Sequence, residues 1–176
     1  MGPAAVPGRP SLRRALAVAL AGLAAVALVA AGPAAPLPRG ALSGVVVRLV
    51  DGDTIHVRVD GHVEKVRYIG INTPEIHHPR RGEEPGGRQA LEVNRRLVEG
   101  QPVRLELDVQ PRDRYGRLLA YVWLRPRPGS EVMVNAELVR LGYAQVMTVP
   151  PNVRHADLFR ALQRQAREER RGLWSQ

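Results

Sequence analysis

The sequence contains no cysteine and, among its 26 basic residues, only one lysine, Lys65. Without thiols the chain forms neither disulfide bonds nor thiolate metal sites, and it has no cysteine nucleophile. The scarcity of lysine carries little functional weight, because a genome-wide compositional bias would also replace lysine with arginine. There is no internal repeat in the 176 residues, so the length suits one domain with an appendage rather than two full domains.

The net charge is strongly positive, at +9 with a pI near 11.2. Residues 1–38 hold three arginines, so 26 − 3 = 23 basic residues face 17 acidic ones in the remainder, and a charge of +6 stays with it. Such a charge favours a polyanionic partner, either nucleic acid or an anionic membrane surface.

Residues 1–32 have the pattern of an export signal. Three arginines, the last of them Arg14, precede an uninterrupted apolar run over residues 15–31. The order is typical of a cleaved signal peptide. The run is also long enough to remain as a membrane anchor with its positive end inside, and a third interpretation is a buried helix of the folded domain. The first two interpretations predict an extracytoplasmic protein, which is secreted, periplasmic or anchored through residues 15–31.

A linker and one folded domain are predicted after this segment. Residues 33–41 are rich in proline and alanine without periodicity, as in a linker, and residues 42–176 contain the periodic patterns. Two Asp-Gly turns, at Asp51-Gly52 and Asp60-Gly61, separate three β-type runs that end near Ile71, so these runs predict a meander.

The rest of the domain alternates between helical and strand patterns. We predict helices over about 88–99, 132–141 and 156–171, strands over about 103–108 and 118–124, and a mobile loop over 75–87. Five strands with a helix between the third and fourth, followed by two more helices, indicate an α+β fold. The expected architecture is a five-stranded OB-type barrel with three packed helices, and we expect a monomer.

Acids and arginines recur in three segments of this domain. They are Asp51-Gly52-Asp53-Thr54, the run from Arg67 to Glu75, and Asp113-Arg114-Tyr115-Gly116-Arg117. The second begins as a strand and breaks off at Asn72-Thr73-Pro74-Glu75, since proline removes a ladder donor and disfavours helix at the residue before it. Acids placed near arginines indicate a hard cation together with a phosphate.

Taken in order, these segments resemble the staphylococcal nuclease (thermonuclease) family. The resemblance runs from about Ser43 to Ser175 and includes Asn135-Ala136-Glu137-Leu138-Val139-Arg140 with Gly142, and the closing Leu173-Trp174-Ser175. A single Asp-Gly-Asp-Thr would be a weak signal, but all the segments at compatible spacing are a strong one. The resemblance implies calcium-dependent hydrolysis of DNA and RNA, mainly of single-stranded or frayed substrates.

The resemblance also implies roles for individual residues. The calcium site matches Asp53, Asn72, Thr73 through its backbone oxygen, and Glu75. The scissile phosphate is expected between Arg67 and Arg117, with Glu75 as general base or water positioner. Tyr115 and Arg114 match positions at the nucleotide pocket.

The sequence departs from the family pattern at two of these places. Asn72 stands where the staphylococcal enzyme has an aspartate ligand, so we expect weaker metal binding without loss of activity. Thr148 stands where a pocket tyrosine is expected, so base stacking should be poorer there.

Other interpretations of the same residues stay open at this stage. Asp53 caps a turn, Glu75 is an exposed acid, Arg67 is a surface arginine paired with an acid across the sheet, and residues 113–117 are only a charged turn. His77 and His78 are interpreted as surface histidines. The arginines of the last helix are interpreted as a solvated face, with long-range attraction of nucleic acid as the alternative. At the level of the whole protein, the rivals are an OB-fold module that binds nucleic acid without cleaving it, and an anchored protein that binds polyanions.

Overall fold

The structure is a computed structural model that describes residues 1–2, 41–76 and 82–175. The predicted apolar run of residues 15–31, the linker residues 33–40, and His77 and His78 therefore lie outside the described residues. Residues 35–176 form one compact unit. In the part of the chain that is described, no helix is both long enough and apolar enough to span a membrane.

The described residues fold into eight strands, three α-helices and one short 3-10 helix. In chain order these are β1 (Ala41–Leu49), β2 (Thr54–Val59), β3 (His62–Tyr68), β4 (Ile71–Asn72), α1 (Gly87–Val98), β5 (Pro102–Glu106), β6 (Leu118–Arg127), β7 (Ser130–Met133), α2 (Val134–Arg140), β8 (Gln145–Val146), α3 (Ala156–Glu168) and the 3-10 helix Gly172–Trp174.

Five of these strands close into a barrel. The strand order is β3-β2-β1-β5-β6, all antiparallel neighbours, and a parallel pairing of β3 with β6 completes the ring. Strict alternation in β2 places Ile55, Val57 and Val59 in the core. The predicted α+β fold, a five-stranded OB-type barrel with three helices, is thus confirmed for the described residues.

Five of the predicted element boundaries were wrong by two residues or more. β5 ends at Glu106 instead of Asp108, and β6 ends at Arg127 instead of Leu124. The third strand ends at Tyr68 instead of Ile71, because Gly70 adopts a positive φ of 80° and turns the chain into β4. The second helix begins at Val134 instead of Val132, because Ser130–Met133 pairs with β6 as a strand. The third helix ends at Glu168 instead of Arg171, since Arg170 has a φ of 51°.

Asn135 connects α2 by hydrogen bonds to β6 and to the turn that follows β3. Its side chain is fully buried, and its Oδ1 accepts the backbone N–H of Val122 at 2.9 Å. Its Nδ2 donates to the carbonyl oxygen of Ile69 at 2.9 Å. The asparagine of the family-like motif therefore holds the turn after β3, where the polar site begins.

Glu106 lies at the centre of a charged cluster at the end of β5. Its carboxylate accepts hydrogen bonds from Arg154 and from the indole Nε1 of Trp123, both at 2.8 Å, and His155 Nε2 lies 3.3 Å from it. Burial by itself would raise the pKa of Glu106, but the hydrogen bonds from Arg154 and His155 hold that pKa below its usual 4.5.

We expect the free energy of unfolding of Glu106→Gln to fall less on acidification than that of the parent. Because the folded pKa lies below the unfolded one, the stabilisation from Glu106 is present above about pH 4.5 and is lost as the pH falls through the folded pKa. Urea unfolding at about pH 5 and pH 3 should show a smaller loss of unfolding free energy in the variant than in the parent. An exposed acid changed in the same way, Glu168→Gln, is the control. An equal loss in Glu106→Gln and the parent would contradict this account.

Candidate active site

A cavity of about 310 Å³ opens on the outer side of the barrel, beside β3, β4 and the start of β6. Among its lining residues are three that the sequence predicts to be catalytic: Arg67, Glu75 and Arg117. Asn72 and Asp113 line it as well. The structure thus brings together residues from two segments about 50 positions apart in the chain, as the sequence predicted.

Arg67 is buried and its guanidinium is almost fully engaged by the protein itself. Nη1 donates to the carbonyl oxygens of Tyr68 and Ile71, both at 2.9 Å. Nη2 donates to Asn72 Oδ1 at 3.0 Å and lies 3.1 Å from Asp53 Oδ2. Within the described residues only Nε has no recorded partner, so Arg67 organises the β3–β4 turn while one edge of its guanidinium faces the cavity.

Asp53 reaches the site through a turn that requires a glycine. A Cβ on Gly52 would lie 2.7 Å from Thr73 Oγ1 and 2.8 Å from the Ala90 side chain, so only glycine lets this turn pack there. Asp53 Oδ2 then accepts the backbone N–H of Thr73 at 2.7 Å.

Burial raises the pKa of Asp53 to about 7, although the nearby Arg67 guanidinium lowers it. The carboxylate is only 3% exposed and therefore has little water to solvate its charge. The structure overturns the interpretation of Asp53 as a mere turn cap, because it makes a buried ion pair with a cavity residue. The alternative in which Arg67 pairs with an acid across the sheet is correct as a contact, but this pair is buried within the site.

Glu75 lies at the rim where the chain leaves β4. Its backbone N–H donates to Glu84 Oε2 at 3.1 Å, and its carbonyl oxygen accepts the Glu84 N–H at 2.8 Å. These two bonds join Glu75 to Glu84, and residues 77–81 between them lie outside the described residues. The Glu75 side chain meanwhile lines the cavity.

Arg117 is positioned by the tight turn before β6. Asp113 Oδ1 accepts the backbone N–H groups of Tyr115 and Arg117, and Asp113 Oδ2 accepts Arg117 Nε at 2.7 Å. Gly116 has the positive φ of 78° that this turn needs. Asp113 thus holds the turn, and the pKa of its carboxyl is lowered because Arg117 outweighs the effect of burial.

The two arginines therefore differ in what they offer to a ligand. Both terminal nitrogens of Arg117 lack a recorded hydrogen-bond partner among the described residues, whereas those of Arg67 are engaged. A planar guanidinium with two such nitrogens suits two oxygens of one phosphate.

The predicted nucleotide contacts stand beside the cavity on the same turn. Tyr115 is 68% exposed, and the guanidinium carbons of Arg114 and Arg117 lie 4.7 and 5.6 Å from the centre of its ring. Arg114 also donates to the Tyr115 hydroxyl. Tyr115 and Arg114 thus form an exposed aromatic and cationic surface on the turn that also carries the cavity residue Arg117.

The predicted metal donors are all oxygens. Within residues 41–76 and 82–175, no three His, Cys, Asp or Glu side chains converge as a metal cluster. The donors are instead the carboxylates of Asp53 and Glu75, the Asn72 amide and the Thr73 carbonyl, a set that suits calcium. Here Asn72 Oδ1 accepts from Arg67, and Asn72 Nδ2 donates to the Thr73 carbonyl at 3.2 Å.

Sequence reasoning missed one wall of the cavity. It consists of Gln110, Met147, Val149, Pro150 and Asn152, together with residues already named. Asn152 is buried and exchanges two hydrogen bonds with the backbone of Gln110, at 2.7 and 2.8 Å, which fixes this wall. Thr148, the departure noted in the sequence, is exposed, and its neighbours Met147 and Val149 face the cavity instead. No local pattern in the sequence marked Asn152 as the fastening point.

Comparisons with known proteins agree with this geometry. Residues 65–176 match the family model described as "Staphylococcal nuclease homologue". The chain is 41% identical over 130 residues to a thermonuclease of Staphylococcus hyicus and 40% identical over 132 residues to one of Staphylococcus intermedius. The first match covers 74% of both chains, and the second covers 75% of this chain and 76% of the relative. It is also 36% identical over 129 residues to endonuclease YncB of Bacillus subtilis (strain 168), with 73% of this chain and 59% of that one covered. The chain therefore belongs to the staphylococcal nuclease family.

Proposed function

We propose that this protein is an exported nuclease that hydrolyses phosphodiester bonds of DNA and RNA with calcium as cofactor. The observation that carries the proposal is the cavity that Arg67, Asn72, Glu75 and Arg117 line together. Asp53 and Thr73 do not line it, but Asp53 contacts both Arg67 and the backbone of Thr73. Relatives of similar sequence are thermonucleases and an endonuclease by name. A binding module would need neither the acid nor the partly unoccupied guanidinium at this place.

In the proposed reaction, Arg117 binds the scissile phosphate by donating hydrogen bonds from its two terminal nitrogens, while Arg67 contacts the phosphate through Nε. Glu75 orients the water and accepts its proton as the water oxygen bonds to phosphorus. The bond from phosphorus to the leaving oxygen breaks, and that oxygen keeps the electron pair and takes a proton from solvent. Negative charge grows on the phosphoryl oxygens as this happens, so contacts from fixed guanidinium groups strengthen in the transition state. The hydrogen bonds of Arg67 to Tyr68 and Ile71 keep that guanidinium fixed.

Asp53, Asn72, Thr73 and Glu75 are the residues that would hold calcium. Bound there, the ion would polarise a phosphoryl oxygen and neutralise part of its charge. The buried Asp53 carboxylate is suited to this, because a cation beside it offsets the burial that raises its pKa.

The surface around Tyr115 supports a preference for single-stranded or frayed nucleic acid. An exposed ring flanked by two guanidinium groups stacks on a base whose face is open. A base inside a duplex does not present that face. The exposed ring therefore selects strands whose bases are unpaired.

The proposal of export rests on the N-terminal arginines and the apolar run of residues 15–31. N-terminal sequencing of the protein recovered from expressing cells separates a cleaved signal from a retained anchor. A cytoplasmic protein with an intact N-terminus would contradict export.

Asn72→Asp tests the metal part of the proposal. The variant adds a negative charge beside Asp53 and removes the amide donor that now engages the Thr73 carbonyl. Two unit charges about 4 Å apart interact by roughly 1 to 4 kcal/mol in water-like to protein-surface environments, so we expect the calcium concentration for half-maximal cleavage of single-stranded DNA to fall about tenfold. Cleavage by the parent should stop in EGTA.

The control for this experiment is Gln110→Glu, which adds the same charge at an exposed residue that lines the cavity and is not a predicted metal ligand. It should leave the calcium requirement within about twofold of the parent. Cleavage that persists in EGTA would reject calcium dependence. Binding of DNA without cleavage under any divalent metal would favour the OB-fold binding module instead.

A further inference from the structure

A second group of basic side chains lies outside the cavity, on the outer face of the β1–β2–β3 meander. Strand register places Arg48 opposite His56, and His56 opposite Lys65. We refer to Arg48, His56 and Lys65 as the basic row. Their neighbours along β2, Ile55 and Val57, point into the core, so the row lies on the outer face of the barrel.

A β-bulge in β1 turns Arg48 onto this face. Val46 pairs with Val57 and Arg48 pairs with His56, so two steps along β1 match one step along β2. In a regular strand Arg48 would point to the same side as the buried Val46. The bulge instead leaves Val47 and Arg48 both exposed, and bulges commonly re-aim a side chain in this way next to active sites.

Protein acids do not neutralise the basic row. Among the described residues, neither Arg48 nor Lys65 makes an ion pair, whereas Arg95, Arg112 and Arg154 each do. Burial and the two flanking cations lower the pKa of His56, which is consistent with a positive potential at the centre of the row. Charge that no acid in the described structure compensates is available to an external anion.

The basic row leads toward the cavity, because Lys65 lies two residues before the cavity residue Arg67 on the same face of β3. In the parallel pairing of β3 with β6, Val66 lies opposite Leu118. Lys65 and Arg117 directly precede these two residues and therefore lie side by side. Adjacent strands are about 4.8 Å apart, so the line from Arg117 through Lys65 and His56 to Arg48 crosses four strands and is about 14 Å long.

We propose that the basic row binds the sugar-phosphate backbone of the single nucleic-acid strand that flanks the scissile phosphate. The inference rests on the proposed function, because it takes Arg117 as the point where the strand enters the cavity. Two cations, Arg48 and Lys65, with the polar ring of His56 between them, fit a chain of phosphates. Contacts with the backbone are independent of base sequence. The row would thus strengthen the binding of long substrates without contacting the bond that is cleaved.

The test uses the full-length double variant Arg48→Ala/Lys65→Ala. Its control is Arg127→Ala/Arg164→Ala, which removes the same charge from exposed arginines that make no ion pair within the described residues and lie off the row. Binding of a 30-nucleotide single-stranded DNA is measured in EDTA at several salt concentrations. Each phosphate contact to a single strand contributes about 0.7 to the slope of log K against log salt. We therefore expect the slope to shrink by about 1.4 in the row variant and to stay unchanged in the control.

Cleavage with calcium provides the second measurement. The row variant should lose about tenfold in kcat/KM on the 30-mer and keep the parent's kcat/KM on a dinucleotide, whose single phosphate is the one cleaved and which has no flanking phosphate for the row to bind. Equal losses in the row variant and the control would show an effect of net charge alone and overturn the proposal. So would a row variant that loses binding to anionic lipid vesicles but keeps the parent's salt slope on DNA.

Failure of the proposed function has a different signature. A parent protein that cleaves nothing with calcium, yet shows the reduced salt slope in the row variant, would support the basic row and reject the nuclease. A parent that cleaves normally, with no difference in slope or in substrate-length dependence between the variants, would reject the basic row and keep the nuclease.

Discussion

Arg117→Ala is expected to lower kcat/KM on single-stranded DNA by about 10³-fold while the protein stays folded. Loss of one fixed donor to the transition state costs about 10² to 10³ in rate, and an arginine on a transferring phosphoryl group is worth 10³ or more. Arg117 offers two terminal nitrogens to the cavity, so both contacts disappear together.

The stability of Arg117→Ala should change little. The ion pair with Asp113 is partly exposed, with 28% of the arginine side chain accessible, and such pairs contribute at most about 1 kcal/mol. The turn keeps its backbone bonds to Asp113, because these come from the N–H groups of residues 115 and 117. Steady-state kinetics measures the expected loss of kcat/KM, and urea unfolding measures the expected unchanged stability. Arg95→Ala on α1 is the control for the loss of one charge. Near-normal kcat/KM in Arg117→Ala would remove this residue from the active centre.

Arg67→Ala is expected to cost both activity and stability. Removing this side chain leaves the Asp53 carboxylate buried without its cation, and breaking a buried pair from one side costs about 3 to 5 kcal/mol. The carbonyls of Tyr68 and Ile71 lose their donor as well. Two arginines that the sequence assigns to one task therefore give different variants, one inactive but stable and the other inactive and destabilised.

The pH dependence of Arg67→Ala gives a further check. The folded pKa of Asp53 is already raised to about 7 from 3.8, and without Arg67 it rises further. A group with a raised acidic pKa binds its proton more tightly when folded, so the stability of the variant should fall as the pH rises from about 4 upward. Urea unfolding at pH 5 and pH 8 measures this. The double variant Asp53→Asn/Arg67→Met should be more stable than Arg67→Ala at pH 8, and equal stability of Arg67→Ala and Arg117→Ala would contradict the account.

The barrel could be predicted because its signals are local. The turn at Asp60-Gly61, where both residues have positive φ, and the alternation in β2 each constrain the backbone within a few residues. The two-residue strands β4 and β8 carry no such signal, since their pairing joins residues more than 70 positions apart. Val132 and Met133 fit the apolar spacing of a helix as well as that of a strand, and only pairing with β6 decides between them.

The identity of the site residues could also be predicted, but the different contacts that Arg67 and Arg117 make within the protein could not. The engagement of Arg67 depends on where the carbonyls of Tyr68 and Ile71 point, and that follows from the turn at Gly70. The exposure of Arg48 depends on a bulge, which shifts alternation by one residue and leaves no mark in composition. The wall fastened by Asn152 depends on a contact with Gln110, 42 residues away.

The claim that this cavity is a hydrolytic centre is tested most directly by Glu75→Gln. The variant keeps the shape of the side chain and the two backbone bonds to Glu84, but it removes the carboxylate that is proposed to take the proton from water. Loss of a general base costs about 10² to 10⁴ in rate. Cleavage of single-stranded DNA in saturating calcium should therefore fall by about 10³-fold, with an unfolding midpoint in urea equal to that of the parent and with Glu99→Gln as a fully active control. A Glu75→Gln protein that cleaves at the parent's rate would show that the chemistry takes place elsewhere or by another mechanism.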